Sequence, residues 1–77
     1  MELYVLTQSG TKAIPLLRKA RREVEASILE YLGKAEGATV EQVADAMNLD
    51  QKIAYDELRS LSAKRWVWRK ITRLVPF

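Results

Sequence analysis

The 77-residue sequence contains neither cysteine nor histidine. Disulfide bridges are therefore excluded, and so are the common zinc-ligand sets, which draw on these two residue types. No apolar run approaches the roughly 18 residues that a membrane span requires. The first residues also lack the basic-then-apolar pattern of a signal peptide. We expect a cytoplasmic protein with no membrane partner.

Residues that carry catalysis or hold cofactors are equally scarce. The three glycines are scattered and form no phosphate-binding loop. The acidic residues do not cluster at the spacing of metal ligands. Without histidine and cysteine, the remaining catalytic candidates are isolated carboxylates and lysines on solvent-facing helix positions. We therefore expect no catalytic residue, no metal site and no cofactor, and we predict that the protein is not an enzyme.

The chain does contain enough apolar residues for a small fold. They make up 48% of the sequence, which excludes a disordered tail. The length predicts a single domain, residues 1–77. A domain of this size buries only about 60% of its unfolded surface, so it needs a compact helical core or a partner.

The positive charge is concentrated in two clusters. Residues 18–22 contain four cations, residues 64–73 contain five, and neither stretch contains an acid. The rest of the chain holds four cations and all ten acidic residues. Two separate basic patches are an arrangement that attracts phosphates. Residues 18–22 can equally form an ordinary solvated helix face.

Short β-favouring segments lie near both ends of the chain. Residues 2–6 predict a strand. Residues 66–75 predict a second strand or a very tight hairpin, which Pro76 ends. In the single-strand case, residues 2–6 are the expected partner. An ordinary hairpin turn is disfavoured because glycine, asparagine, aspartate and proline are absent between Trp66 and Val75.

The first predicted helix covers residues 15–34. Pro15 suits its first turn, because the missing N–H costs nothing there. Gly33 and Gly37 bracket its end. Its N-terminal half can pack on a second copy of the chain, which would make a homodimer, or it can cover the sheet.

Two shorter helices are predicted after it. Helix 40–47 begins with Thr39 and Gln42 at the spacing of a capping box. Helix 51–64 follows Asp50, whose carboxylate is suited to accept from the first free N–H groups.

The segment around helix 51–64 resembles, without gaps, the recognition helix of bacterial and archaeal winged helix-turn-helix regulators, including the MarR, PadR and ArsR types. The matching residues are Leu49, Asp50, Ala54, Leu58, Leu61, Trp66 and Val67. Upstream, the first two helices of that fold are matched by Ile28, Leu29, Leu32, Ala38, Thr39, Val43, Ala44 and Met47. The resemblance covers residues 24–69. It implies a mainly α protein with a small β-sheet (α+β), built from three helices, an N-terminal strand and a reduced C-terminal wing.

A second resemblance lies at the start of the chain. The pattern Tyr4-x-Leu6-Thr7-x-x-Gly10 is similar to the exit from the wing in several of these regulator families. In those proteins it follows the recognition helix. Either an N-terminal strand completes the sheet here, or the domain descends from a tandem arrangement.

The resemblance implies a DNA-binding transcriptional regulator with double-stranded DNA as its partner. Helix 51–64 would enter the major groove, with Gln51, Lys52, Tyr55 and Arg59 facing bases or phosphates. Phosphates would be contacted by Lys64, Arg65, Arg69, Lys70 and Arg73. Asp56 and Glu57 oppose this function, because carboxylates repel phosphates. Asp56 can also pair with Lys52 or Arg59 along the helix.

Two alternatives remain open. One is an RNA-binding or tRNA-binding accessory domain, similar to the N-terminal domain of archaeal-type phenylalanyl-tRNA synthetase α subunits. The other is a protein-interaction winged helix, which Asp56 and Glu57 favour. Trp66 matches a core position, and Trp68 is also expected in the core, although it can instead stack on a base or fill a partner's pocket.

Overall fold

The computed structural model describes residues 2–71. In chain order the elements are β1 (Glu2–Leu6), α1 (Gln8–Lys19), α2 (Glu23–Ala35), α3 (Val40–Met47), α4 (Gln51–Ala63) and β2 (Val67–Ile71). The expected α+β class is confirmed, whereas the expected number of helices is wrong, because residues 2–71 hold four rather than three. The end of the predicted 66–75 strand, Arg73 and Pro76 lie outside the described residues.

The predicted helix 15–34 is in fact two helices. Arg21 takes a left-handed conformation at φ 63° and ends α1. The N–H of Arg22 donates to the Leu17 carbonyl at 2.8 Å, and that of Arg21 donates to the Arg18 carbonyl at 3.0 Å. These two bonds form a Schellman motif, which closes a helix and redirects the chain. The break cannot be predicted from the sequence because the left-handed position holds arginine rather than glycine.

All four helices within residues 2–71 end on a left-handed residue of this kind. These residues are Arg21, Glu36, Asn48 and Arg65, with φ between 55° and 63°. None is glycine, and asparagine alone among them is a residue type that tolerates this conformation well. Gly33, predicted to lie at the end of the helix, lies inside α2, and Gly37 follows the left-handed cap of α2.

The start of α1 also differs from the prediction. The helix begins at Gln8, so Pro15 lies in its interior rather than in its first turn. Thr7 is the N-cap, and its side chain accepts from the Gly10 N–H at 3.0 Å. Thr7 comes directly after β1, so the strand passes into the helix through a single residue.

The two later helices coincide closely with the predicted ranges. At α3 the capping box is present, since the Gln42 N–H donates to Thr39 Oγ1 at 3.2 Å and the Thr39 N–H donates to Gln42 Oε1 at 3.0 Å. Asp50 stands at the N-cap of α4, but within the described chain its side chain accepts no capping hydrogen bond. The helix ends at Ala63, and Lys64 is its C-cap.

The small sheet has two strands within the described residues, and β1 makes backbone hydrogen bonds on both of its edges. It pairs antiparallel with β2 in a register that sets Tyr4 opposite Arg69 and Glu2 opposite Ile71. On its other side, Tyr4 exchanges backbone hydrogen bonds with Ala38 at 2.8 and 3.1 Å. An N-terminal strand therefore completes the sheet, as one of the two sequence-based alternatives had it.

The core lies between α2, α3, α4 and the inner face of the sheet. Its fully buried side chains are Tyr4, Ile28, Leu29, Leu32, Val43, Leu58 and Leu61. Leu17 of α1 joins this core at 4% exposure, whereas Leu16 is 67% exposed. A homodimer formed through residues 15–34 stays a prediction. Leu17 cannot take part in its interface, because it is buried in the core.

The two tryptophans differ in their surroundings. Trp66 is partly buried and packs against the core. Trp68, expected in the core, is 67% exposed, so that expectation is wrong. The cause is strand alternation, because Val67 takes the inward position at 2% exposure and turns its neighbour outward.

Within residues 2–71, no helix combines the length and the apolar character that crossing a bilayer demands.

Gly10 allows α1 to approach the segment before β2. A Cβ added at this residue would lie 2.1 Å from the Trp66 carbonyl oxygen and 2.7 Å from Leu6 Cδ1. The contact at 2.1 Å is with backbone, which cannot rotate away. Glycine is therefore required here for packing.

We predict that Gly10→Ala destabilises the protein by about 2–3 kcal/mol, the cost of overpacking a rigid contact. Urea unfolding followed by tryptophan fluorescence measures this. Ser9→Ala, an exposed neighbour in the same helix, is the control and should change stability by less than about 0.5 kcal/mol. Equal stability of the two variants would contradict the packing role of Gly10.

We also predict that Arg21→Gly stabilises the protein by about 0.5–1 kcal/mol, because glycine relieves the left-handed backbone. Lys19→Gly removes the same charge from a helical position and should destabilise by about 1 kcal/mol. Thermal unfolding of both variants separates the two effects. A loss of stability in Arg21→Gly would refute the Schellman ending of α1.

Candidate functional site

A groove of about 900 Å³ lies between α4 and β2. It is lined by Tyr4, Thr7, Tyr55, Arg59, Ser62, Ala63, Arg65, Val67, Trp68 and Arg69. Its volume falls at the upper end of the range of about 300–1,000 Å³ that ligand sites occupy.

One wall of the groove is a polar stripe of α4. Tyr55, Arg59 and Ser62 follow one another at steps of four and three residues, so they share a face of the helix. The adjacent face carries Ala54 and Leu58, which are fully buried. Burial of that apolar stripe fixes the rotation of α4 and thereby aims the polar stripe at β2.

The end of the groove is formed where the chain reverses between α4 and β2. Arg65 is left-handed at φ 63°, a conformation that favours glycine. Thr7 holds this turn from the other side: its hydroxyl donates to the Arg65 carbonyl at 2.8 Å, and its N–H donates to the Trp66 carbonyl at 3.1 Å. The Arg65 backbone is thus fixed while its side chain stays exposed.

The opposite wall is β2, and the floor is Tyr4. Trp68 presents an exposed indole, and Arg69 lies across the ladder from Tyr4. Burial raises the pKa of the Tyr4 phenol, and so do the Glu2 carboxylate and Tyr55, while Arg69 acts in the opposite direction. Tyr4 is therefore a neutral hydroxyl at physiological pH.

Within residues 2–71, the charged residues that line the groove are all positive. It gathers Arg59, Arg65 and Arg69, and none of the described residues that line it is acidic. Glu2 lies beside it, with Oε1 at 3.7 Å from Arg69 Nη1, a partly exposed pair. Arg59 and Arg65 have no ion-pair partner among residues 2–71.

The acids of α4 do not neutralise its cations. Asp56 is exposed, and in the part of the chain that the structure describes no ion pair joins it to Lys52 or Arg59. The pairing considered from sequence is therefore not formed, and Arg59 keeps its charge available to a ligand.

The predicted site residues divide into two groups. The groove brings together Tyr55, Arg59, Arg65 and Arg69. Outside it lie Gln51 and Lys52 at the exposed start of α4, Lys64 and Lys70, while Arg73 lies beyond the described residues. Lys64 places Nζ 5.1 Å from the centre of the Trp66 ring, a cation–π contact that accounts for its position.

Sequence reasoning did not assign Tyr4, Thr7, Ser62, Ala63 or Val67 to the site. A signal for the first two is the pattern Tyr4-x-Leu6-Thr7-x-x-Gly10, which resembles the exit from a wing. The pairing of β1 with β2, which brings this pattern to the groove, could not be read from either segment alone.

The first basic cluster has a structural role. Arg18 of α1 pairs with Glu23 at 2.6 Å and also with Glu30, so it links α1 to α2 across the break. Arg22 pairs with Glu25 at 2.9 Å. Two of the four cations of residues 18–22 are thus engaged with carboxylates, which leaves less charge for phosphates than the sequence indicated.

The chain was compared with protein-family models, with curated proteins and with solved structures, and none of the three comparisons gave a match. The candidate function therefore depends on the geometry of residues 2–71 and on the sequence resemblance.

The raised pKa of Tyr4 leads to a pH prediction. Folding favours the neutral phenol, so its contribution to stability is complete below about pH 10 and is lost as the pH rises toward the folded-state pKa. We expect wild type to lose more stability between about pH 9 and pH 11 than Tyr4→Phe, which has no phenol to ionise. Urea unfolding across that range measures the difference, and parallel slopes for the two proteins would contradict it.

Proposed function

We propose that this protein binds DNA and acts as a transcriptional regulator of the winged helix-turn-helix kind. In this proposal α4 enters the major groove, and the cations between α4 and β2 contact phosphates. Three sets of observations support it: the charge of the groove, the exposed start of α4, and the position of the sheet beside α4.

The observation that carries the proposal is the convergence of Arg59, Arg65 and Arg69 on one acid-free groove. The three cations come from a helix, a turn and a strand, so the fold itself concentrates the charge. Such a surface attracts the phosphate groups of nucleic acids. Neutralisation of these phosphates by arginine and lysine supplies most of the nonspecific affinity for DNA.

The start of α4 supports a duplex as the ligand. Gln51, Lys52 and Tyr55 are exposed on its first turns, and the short turn of residues 48–50 joins it to α3. A convex helix of this kind fits the B-DNA major groove, which is about 12 Å wide. Glutamine can pair with adenine there, and lysine with guanine or a phosphate.

The sheet supports the same orientation. β2 follows α4 directly and carries Arg69 and Lys70, which are exposed. Strand residues beside a recognition helix reach the phosphates that flank the major groove. Glu2 partly offsets Arg69, so we expect Arg59 and Arg65 to contribute more to binding.

The first experiment is a salt titration of binding to a mixed pool of duplex DNA. Log affinity should fall linearly with log salt, with a slope of about −0.9 for each phosphate contact. A slope that corresponds to several contacts supports the proposal. Absence of binding even at low salt would refute it and favour a protein-binding role for α4.

We predict that Arg59→Ala and Lys52→Ala each weaken duplex binding by about tenfold, or roughly 1–3 kcal/mol for a base contact, and that the double variant nearly abolishes it. Fluorescence anisotropy with labelled duplex at fixed salt measures this. Lys34→Ala removes one positive charge from the end of α2, outside the groove, and should bind like wild type. If Lys34→Ala weakened binding as much as Arg59→Ala, the effect would come from net charge rather than from the site.

The RNA-binding alternative has its own discriminating change. Arg69→Ala should then reduce RNA binding strongly, while Lys52→Ala should leave it unchanged, because strand residues rather than the helix would contact the ligand. If Lys52→Ala instead weakens binding to duplex DNA more than Arg69→Ala does, the result favours the transcriptional regulator.

A further inference from the structure

The α4–β2 region offers two surfaces of opposite curvature. The start of α4, with Gln51 and Lys52, is convex and fits a duplex groove. The site lined by Arg59, Arg65 and Trp68 is concave. The arginines that line this concavity can contact the backbone phosphates of a duplex, but the paired bases of a duplex cannot enter it. The bases of a single strand can enter it, because they separate and turn individually.

The concave surface carries two aromatic rings that the core does not use. Trp68 is 67% exposed on β2, and Tyr55 is 39% exposed on α4. Both residues line the same groove, Tyr55 from α4 and Trp68 from β2. Exposing an indole to water forgoes the stabilisation that its burial would give, so a large exposed tryptophan in a groove indicates a ligand with an apolar face.

Charge defines the rest of that ligand. Arg59, Arg65 and Arg69 line the same groove as the two aromatic residues, and no acidic residue of the described chain lines it. Arginines interleaved with aromatic rings match a strand in which phosphates alternate with flat bases. An acidic peptide would satisfy the arginines but would leave both rings without stacking partners.

We propose that this groove binds an unpaired DNA strand, with one base stacked on Trp68 and the neighbouring phosphates on Arg59 and Arg65. The inference rests on the proposed DNA binding and extends it. Tyr55 and Arg59 belong both to the exposed face of α4 and to the groove, so the two surfaces are continuous. A DNA that is part duplex and part single strand can therefore occupy both at once.

The test uses the full chain and a labelled oligothymidylate of about ten nucleotides, within the range of roughly 4–16 that one small domain covers. A blunt duplex of unrelated sequence is the second probe. Trp68→Ala should weaken oligothymidylate binding by about tenfold, the loss of one stacked base, and should leave duplex binding nearly unchanged. Trp68→Phe should restore most of the affinity, since phenylalanine still offers a flat ring.

Leu16→Ala is the matched control, because Leu16 is exposed to the same extent, 67%, but lies on α1. It should bind both probes like wild type. Since Trp68 is exposed, Trp68→Ala is expected to fold, and an unchanged unfolding midpoint verifies this.

The results that overturn the inference are distinct from those that overturn the proposed function. Duplex binding without oligothymidylate binding, or equal oligothymidylate affinity in Trp68→Ala and wild type, refutes the single-strand site and leaves the regulator standing. Tighter binding of an oligouridylate than of oligothymidylate assigns the groove to RNA instead. An affinity for polyglutamate of equal charge that matches the affinity for oligothymidylate refutes base stacking. Absence of binding to any nucleic acid refutes both proposals.

Discussion

The contact between the start of α1 and the turn before β2 is the constraint on which the rest of the structure depends. Thr7 donates one hydrogen bond to the carbonyl of Arg65 and another to the carbonyl of Trp66. Arg65 lies 58 positions further along the chain. Gly10 brings the helix backbone against the same turn. This contact joins the first strand to the last and holds the left-handed Arg65 in place. The groove exists because α4 and β2 meet at that fixed angle.

The parts of the fold that local chemistry specifies were predictable from sequence. The capping box of Thr39 and Gln42 marks the start of α3, and the apolar stripe of Ala54, Leu58 and Leu61 marks the inner face of α4. The break between α1 and α2 was not predictable, because Arg21 occupies a position whose usual signal is glycine. Trp68 was misplaced for a related reason: large aromatics are mostly buried, and here the preceding valine takes the inward position instead.

The candidate site was partly predictable. Helical spacing identified Tyr55 and Arg59, and the basic C-terminal stretch identified Arg65 and Arg69. Their assembly into one groove depends on long-range pairing, since Tyr4 reaches the site across β1 and β2. No periodicity within either strand encodes that pairing. The acid-free lining is likewise a property of the folded surface, because Asp56 and Glu57 are close in sequence but do not line the groove.

The pairing of the first strand with the last has a consequence for how the molecule folds. The helices α2, α3 and α4 are consecutive and can assemble through contacts between neighbours in the chain. The pairing of β1 with β2 instead closes a loop of nearly the whole described sequence, from Glu2 to Ile71. The chain loses the conformational entropy of that loop before the hydrogen bonds between the strands can form. Pairings of such high sequence separation form slowly. One wall and the floor of the groove are therefore completed by the step with the highest contact order, so a kinetic intermediate with native helices would present the exposed start of α4 but would lack the groove.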